Sequence, residues 1–477
     1  MQLIRLPFRL SVGIFSVAAA IGLIACSSEV EDLATSTVVV TAVPQANSVP
    51  ASVSAAVAGS TATVESIPTL IPISPAPIGG DGKNRIVFVS PDSQIYTIQG
   101  DGTDRVRMSP DRAQLPQDGQ FPGYTWPGWS PDASKILFSA AMPESLSVSP
   151  FVLLSTNSDG TSVDFPEVLY ENEPGSGNVV AGGPHYSLWS PDSEKEAFIS
   201  GTADGLTVFV VNTVTKNAVR VVPGAPVYMD WSYDSTELVV HNGNRLLTYD
   251  APFGQGPSSA LDGGSIRYFA PDYAPEDDRL LFLVDTSDGA ALHMSNPSSG
   301  VLERVTDAGA AAWFKWSPDG GSIMLLRGSL DVAGESTISI VDPDTGTEEF
   351  IARGDYLMSM WSPDGQKLLL AKRNRHNTLL MQWSIYDRDT KLISDLIEFE
   401  PSGELRMMHV FFDQYIASHS FWSPDSESIV FAGDLIGPLS DLDDAERDID
   451  TVWVVNASGE PRPKAIAEGF MAFWSPE

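Results

Sequence analysis

The stretch Trp361-Ser362-Pro363-Asp364-Gly365, running on through Gln366-Lys367 into the apolar run Leu368-Leu369-Leu370, decides how this chain is read. It has the chemistry of a β-hairpin corner. Proline pre-sets φ at the second turn position, aspartate tolerates the third, and glycine takes the left-handed fourth. The Trp just before the turn puts a large apolar ring at the end of one strand, where it can pack against a neighbouring sheet.

The stretch recurs. Trp129-Ser-Pro-Asp132, Trp189-Ser-Pro-Asp192, Trp316-Ser-Pro-Asp319 and Trp422-Ser-Pro-Asp425 are further copies, and Trp474-Ser-Pro-Glu477 ends the sequence. Trp231-Ser-Tyr-Asp234 and Tyr273-Ala-Pro-Glu276 are degenerate copies. Steps of 42, 42, 43 and 45 residues are interspersed with longer ones of 60, 61 and 52, and seven of the 11 Trp residues sit in the motif. A period of about 40–45 residues built from four short strands is the signature of a β-propeller.

Arg85–Ser90, Gln94–Gln99 and Arg105–Met108 read as three strands with no Trp-bearing inner strand before them. Later sets have four: Tyr124–Trp129, Lys135–Phe138, Phe151–Leu154 and a strand near Glu167–Tyr170 form the first complete one. The sequence ends on an unpartnered inner strand, Phe470–Trp474. The economical solution is an all-β propeller of four-stranded blades, eight in number with seven as the alternative. Its ring is closed by the C-terminal strand completing the first blade, which removes the sheet edges at the seam.

The 477-residue chain carries 62 acidic against 28 basic residues, a net charge of −34. Nucleic acid is excluded as a partner, because phosphate binding needs a basic footprint. Arg5 and Arg9 precede an uncharged apolar segment, Leu10–Ala25, and then Cys26-Ser27-Ser28. The reading is a lipoprotein signal peptide over 1–25 and lipidation at Cys26, which places the protein in a bacterial cell envelope, membrane-anchored outside the cytoplasmic membrane. As the single cysteine, Cys26 leaves no intrachain disulfide. Residues 26–82 hold no Lys, Arg or aromatic residue and are dominated by Ser, Thr, Val, Ala and Pro. They read as a disordered tether ahead of a propeller domain over 83–477.

The pattern Trp-Ser-Pro-Asp-Gly, an aliphatic strand, then a second strand ending in Asp-Gly resembles the TolB-type β-propeller repeat. That repeat is shared by periplasmic TolB and by propeller domains of the tricorn and prolyl-oligopeptidase families. The resemblance spans roughly 83–477 and implies the fold. For function it implies only a platform, since such propellers serve as binding modules, substrate gates and occasionally enzymes. The expectation departs from TolB in one respect: only a low-complexity tether precedes the blades, in place of TolB's separate N-terminal α/β domain, which counts against a TolB-like scaffold role.

Loop lengths point to one face. Loops between first and second and between third and fourth strands are tight, whereas the linkers 110–124, 171–185 and 400–419 and the loops 140–150, 328–336 and 434–450 are long. All the long ones fall on the face opposite the Ser-Pro-Asp-Gly turns, where binding residues are expected. Candidate ligand-binding residues there are Arg373, Arg375 and His376, from the densest basic cluster, suited to carboxylate or phosphate. Trp126, His185, Tyr186 and His419 are expected where linkers enter inner strands, as the lining of a peptide or sugar pocket. Asp441, Asp443, Asp444 and Asp448 form an acidic run with oxygen ligands for Ca²⁺, although it lacks the glycine and terminal glutamate of an EF-hand.

The sequence contains no Gly-x-Ser-x-Gly elbow, HExxH pair or phosphate-binding loop. The expectation is therefore a monomeric, cofactor-free binding module for a protein, peptide or glycan. A polysaccharide lyase or hydrolase on the same fold is the alternative, and a TolB-like envelope scaffold the second.

Overall fold

The computed structural model describes residues 82–111, 123–141, 151–171, 186–202, 205–224, 227–261, 267, 269–296, 301–328, 335–436 and 450–477. The signal segment, Cys26, almost all of the tether, His185 and Asp441, Asp443, Asp444 and Asp448 lie outside them. Among the described residues the strands form six four-stranded antiparallel sheets and one of seven strands. Each four-stranded sheet runs outward from an inner strand that carries the motif aromatic, and the fold is a β-propeller.

Burial follows position in the sheet. The second strand Lys367–Arg373 is buried over its first five residues, as is Ile429–Gly433 within Ser428–Leu435. Such strands are covered on both faces, so they read as continuous apolar runs. The outer strand Asn217–Pro223 is exposed or half-buried throughout.

Adjacent repeats are joined by the motif tryptophans. The Trp231 indole N–H donates to the Leu188 carbonyl (2.9 Å), Trp316 to Asp272 (3.2 Å), Trp361 to Lys315 (3.2 Å), Trp422 to Met360 (3.4 Å) and Trp129 to Phe473 (3.4 Å). In each case the acceptor is the residue just before the motif aromatic of the preceding repeat. Trp189 and Trp474 are buried with no partner for the indole N–H among the described residues.

The turns are latched as well. Within one turn the Ser362 hydroxyl donates to Asp364 Oδ1 (2.6 Å) and accepts the Lys367 amide (2.9 Å), and the same pair recurs at Ser317–Asp319 (2.5 Å) and Ser423–Asp425 (2.6 Å). The Ser317 hydroxyl and the Gly321 amide hold the Asp319 carboxyl below its ordinary range. The fourth position has positive φ in every such turn, but only Gly320 and Gly365 are glycine; Ala133, Ser193, Ser235 and Ser426 adopt φ of 54–63°. The serines gain something for this strain. Ser193, Ser235 and Ser426 accept the amides of Asp132, Asp192 and Asp364 from the preceding repeat at 3.0–3.1 Å. One hydrogen bond, about 1 kcal/mol net, roughly offsets the cost of the left-handed conformation.

The C-terminal strand Met471–Trp474 pairs antiparallel with Arg85–Val89, completing a sheet with Ile95–Gln99 and Val106–Arg107. The seam is reinforced by the Ser475 amide on the Arg85 carbonyl (2.7 Å) and by a Lys83–Glu477 ion pair. The seven-stranded sheet is the departure from a uniform four-strand pattern. The inner strand of its last part is reduced to a single bridge, Trp422 with Ile429. The edge of Ser428–Leu435 that this leaves open pairs with the end of Leu392–Pro401 through Phe399–Leu435 and Pro401–Gly433. Deleting residues 468–477 is expected to lower the urea midpoint of unfolding sharply, because it exposes the Arg85–Val89 edge; an unchanged midpoint would disprove closure through this strand.

Candidate functional site

The linker 400–419 is helical, which the strand periodicity of the sequence does not announce. Ser402 caps α1 (Gly403–Val410) by accepting the Leu405 amide at 3.2 Å. Phe411 breaks the helix, and a single turn, α2 (Phe412–Tyr415), follows. Arg406 folds back from α1 to the Pro401 carbonyl (2.9 Å) and Glu400 (2.7 Å), fixing the exit from the strand.

This insert lies across the inner strands. Tyr415 stacks on Trp126 with ring centroids 4.8 Å apart and meets Tyr186 edge-on at 5.9 Å. Phe412 packs on Trp313 at 5.7 Å, and Gln414 donates to the Val227 carbonyl at 3.3 Å. Asp413 accepts hydrogen bonds from the Tyr228 hydroxyl and the Ala270 amide. The single turn α2 thus touches elements from five different parts of the ring. The residual cavity beneath, bounded by Met358, Met360, Met408, Phe412 and His419 among others, is only about 10 Å³, far below the size of a small-molecule site.

Three of the expected site residues therefore do come together, but as packing. Tyr186 and His419 are each 2% exposed, and Trp126, in a bulge at φ 54°, is half-buried against Tyr415. His419 faces Phe473 at 4.4 Å with its Nδ1 bonded to the Ser418 hydroxyl at 2.6 Å. Burial drives its pKa down to about 3, so the ring is neutral. His409 on α1 is lowered to about 3 as well, by burial and by the charges of Arg373 and Arg406.

The basic cluster divides. Arg373 turns inward to Asp355 (3.3 Å), while Arg375 and His376 are exposed, Arg375 lying 3.8 Å from Glu335. Their turn is held by Asn374, whose side-chain carbonyl accepts the His376 amide at 2.8 Å and whose amide group bonds Glu398. Elsewhere, Asp272, buried, is paired with Lys315 and accepts the Trp316 amide (2.7 Å), and Asp230 accepts the Tyr273 amide (2.7 Å). Burial raises both carboxyls and the lysine charge opposes it. Among the described residues no group of three or more His, Cys, Asp or Glu is arranged to hold a metal ion. A cavity of about 510 Å³ lies on the other face, between the Trp231 and Tyr273 sheets.

Comparison with known proteins bears on the fold alone. No family model matches the chain, and no curated protein matches it. Solved structures do. The dihydro-heme d1 dehydrogenase NirN in complex with DHE aligns with a TM-score of 0.50 at 13% identity, over 84% of this chain and 78% of that one. TolB from Acinetobacter baumannii aligns with a TM-score of 0.36 at 16% identity, covering 67% of this chain and 64% of TolB. An oligogalacturonate lyase in complex with manganese gives 0.45 at 14% identity, over 75% of this chain and 96% of the lyase. All are β-propellers.

Asp413 supplies a pH test of the insert. Burial raises its carboxyl to about 7, whereas in the unfolded chain it titrates near 3.8. Its contribution to stability is full below about pH 4 and is lost as pH rises through 7, on the order of 2–4 kcal/mol. Asp413→Asn, which keeps an acceptor for Tyr228, is expected to flatten that decline in urea unfolding measured from pH 4 to 8. A variant with the wild-type slope would show that Asp413 is not buried under the insert.

Proposed function

We propose that the chain is a lipid-anchored, extracytoplasmic β-propeller of TolB type that binds a protein, peptide or glycan through its long-loop face. The observation that carries this reading is the α1–α2 insert. It ties inner strands from around the ring into one rigid surface, and rigid scaffolds presenting loops are what binding faces require. Beside it stands the Asn374 turn, with Arg375 and His376 exposed and Leu379 52% exposed. An Arg fork next to an exposed aliphatic side chain suits a ligand with one anionic and one apolar group. The eight-blade count belongs to the same proposal. It is supported by the six four-stranded sheets together with a seven-stranded sheet that divides at the Pro401–Gly433 pairing.

The test is capture of envelope proteins and a glycan array with the full chain, repeated with Arg375→Ala/His376→Ala. Ligands retained by the wild type are expected to bind at least about tenfold more weakly to the variant, about 1.4 kcal/mol. Equal binding would remove this turn from the site, and turnover of a polymer substrate would replace the binding reading with an enzymatic one. For the anchor, Cys26→Ser is expected to move the protein from the membrane pellet to the soluble fraction. Retention in the pellet would refute lipidation at that residue.

A further inference from the structure

The cavity between the Trp231 and Tyr273 sheets sits where the repeat is most degenerate. Tyr273 stands in place of the motif Trp, and the outermost strand of the Trp231 sheet is only Ser259–Ala260. A volume of about 510 Å³ is in the range of small-molecule sites. Its walls carry four carboxylates, those of Asp234, Glu237, Asp250 and Asp278, and the hydroxyl of Tyr273, which bonds Glu237. Among the described residues none of the four carboxylates is in an ion pair with Lys or Arg.

The neighbouring interfaces show what is missing. At three successive ones a protein cation sits on the carbonyl four residues after the motif aromatic: Arg279 on Gly320 (3.1 Å), Arg388 on Gly365 (3.0 Å) and Lys367 on Ser426 (2.9 Å). Lys367 also pairs with Glu427 at 3.2 Å. Six residues after the motif aromatic the chain places Lys135, Lys195, Arg279 and Lys367, the neutral Ser322 and Ser428 in two further copies, and the acidic Glu237 in the Trp231 sheet alone. The acidic partner is kept, since Asp278 occupies the position equivalent to Glu427. The interface has therefore retained its carboxylate, reversed the charge of its cation, and opened a cavity between the two.

We propose that this cavity binds an organic cation, a primary ammonium or guanidinium group on an alkyl chain, in the place that Lys367, Arg388 and Arg279 fill elsewhere. Glu237 and Asp278 hold the charged head, and Leu280, Val301 and Leu302 line a path for methylene groups. A free amine and the Lys or Arg side chain of a peptide share this chemistry. The site is distinct from the long-loop face, so its test stands or falls separately from the function proposed above.

The experiment is calorimetric titration of the full chain with 1,5-diaminopentane, agmatine, the peptide acetyl-Gly-Lys-Gly-amide and uncharged pentane-1,5-diol, at constant ionic strength. Saturable one-to-one binding of the cations and none of the diol is expected. A tighter diamine assigns the site to free amines, and a peptide that binds equally well assigns it to a partner's side chain. Asp278→Asn is expected to weaken binding by about tenfold or more. Glu237→Lys, which restores the lysine of the repeat, is expected to abolish binding while the thermal midpoint holds or rises. The proposal is overturned if the diol binds as well as the diamine, or if both variants bind the cations as the wild type does.

Discussion

The structure depends on one hydrogen bond made repeatedly: a tryptophan indole N–H to the inner-strand carbonyl of the repeat before it. Propeller sheets meet mainly through apolar side chains, and apolar contact is non-directional. A bond that must point at one carbonyl sets how far one sheet is rotated against the next. Because donor and acceptor lie at fixed places in the repeat, five of the motif tryptophans register their strand on the preceding repeat by the same rule, whereas Trp189 and Trp474 are held by packing alone. The copy at Tyr273 has no indole to donate. At Tyr273 the latch is exchanged for a phenol–carboxylate bond to Glu237, and there the sheets part enough to leave a cavity.

The turn residues carry a second layer of the same logic. Serine at the left-handed position of Ser193, Ser235 and Ser426 is locally unfavourable and is compensated between repeats rather than within one. The glycine expected there from turn chemistry is thus one of two solutions. Glycine removes the strain, and serine accepts it in return for a cross-sheet bond.

Much of the fold could be read from the chain because the information was local and repeated. The Trp-Ser-Pro-Asp turns, the strand beginning at Lys367 and the unpartnered strand at Met471–Trp474 each have a signal a few residues long, and the pairing of Met471–Trp474 with Arg85–Val89 follows from counting. The helical insert was not legible: Ser402 and Glu404 hint at a helix start, but a region next to strands and rich in aromatics reads as linker. The fate of Trp126, Tyr186 and His419 was also hidden, since aromatic residues line pockets and fill plugs alike, and only Tyr415 decides between them. The cavity left a trace in the sequence, the Glu237 that replaces a lysine, but that trace gains meaning only once Lys367 is seen to reach the next sheet.

The seam between Arg85–Val89 and Met471–Trp474 also governs the order of events in folding. Its pairs, such as Ile86 with Trp474, lie at nearly opposite ends of the described chain, whereas the strands inside each sheet are close neighbours in sequence. Local sheets can form early; the seam must wait, because the entropy of closing so long a loop is repaid only when the intervening sheets already hold the two ends near each other. Until then two strand edges stand open, each a template for pairing with another molecule. The interval before closure is therefore the window in which this protein is most exposed to domain-swapped or aggregated association.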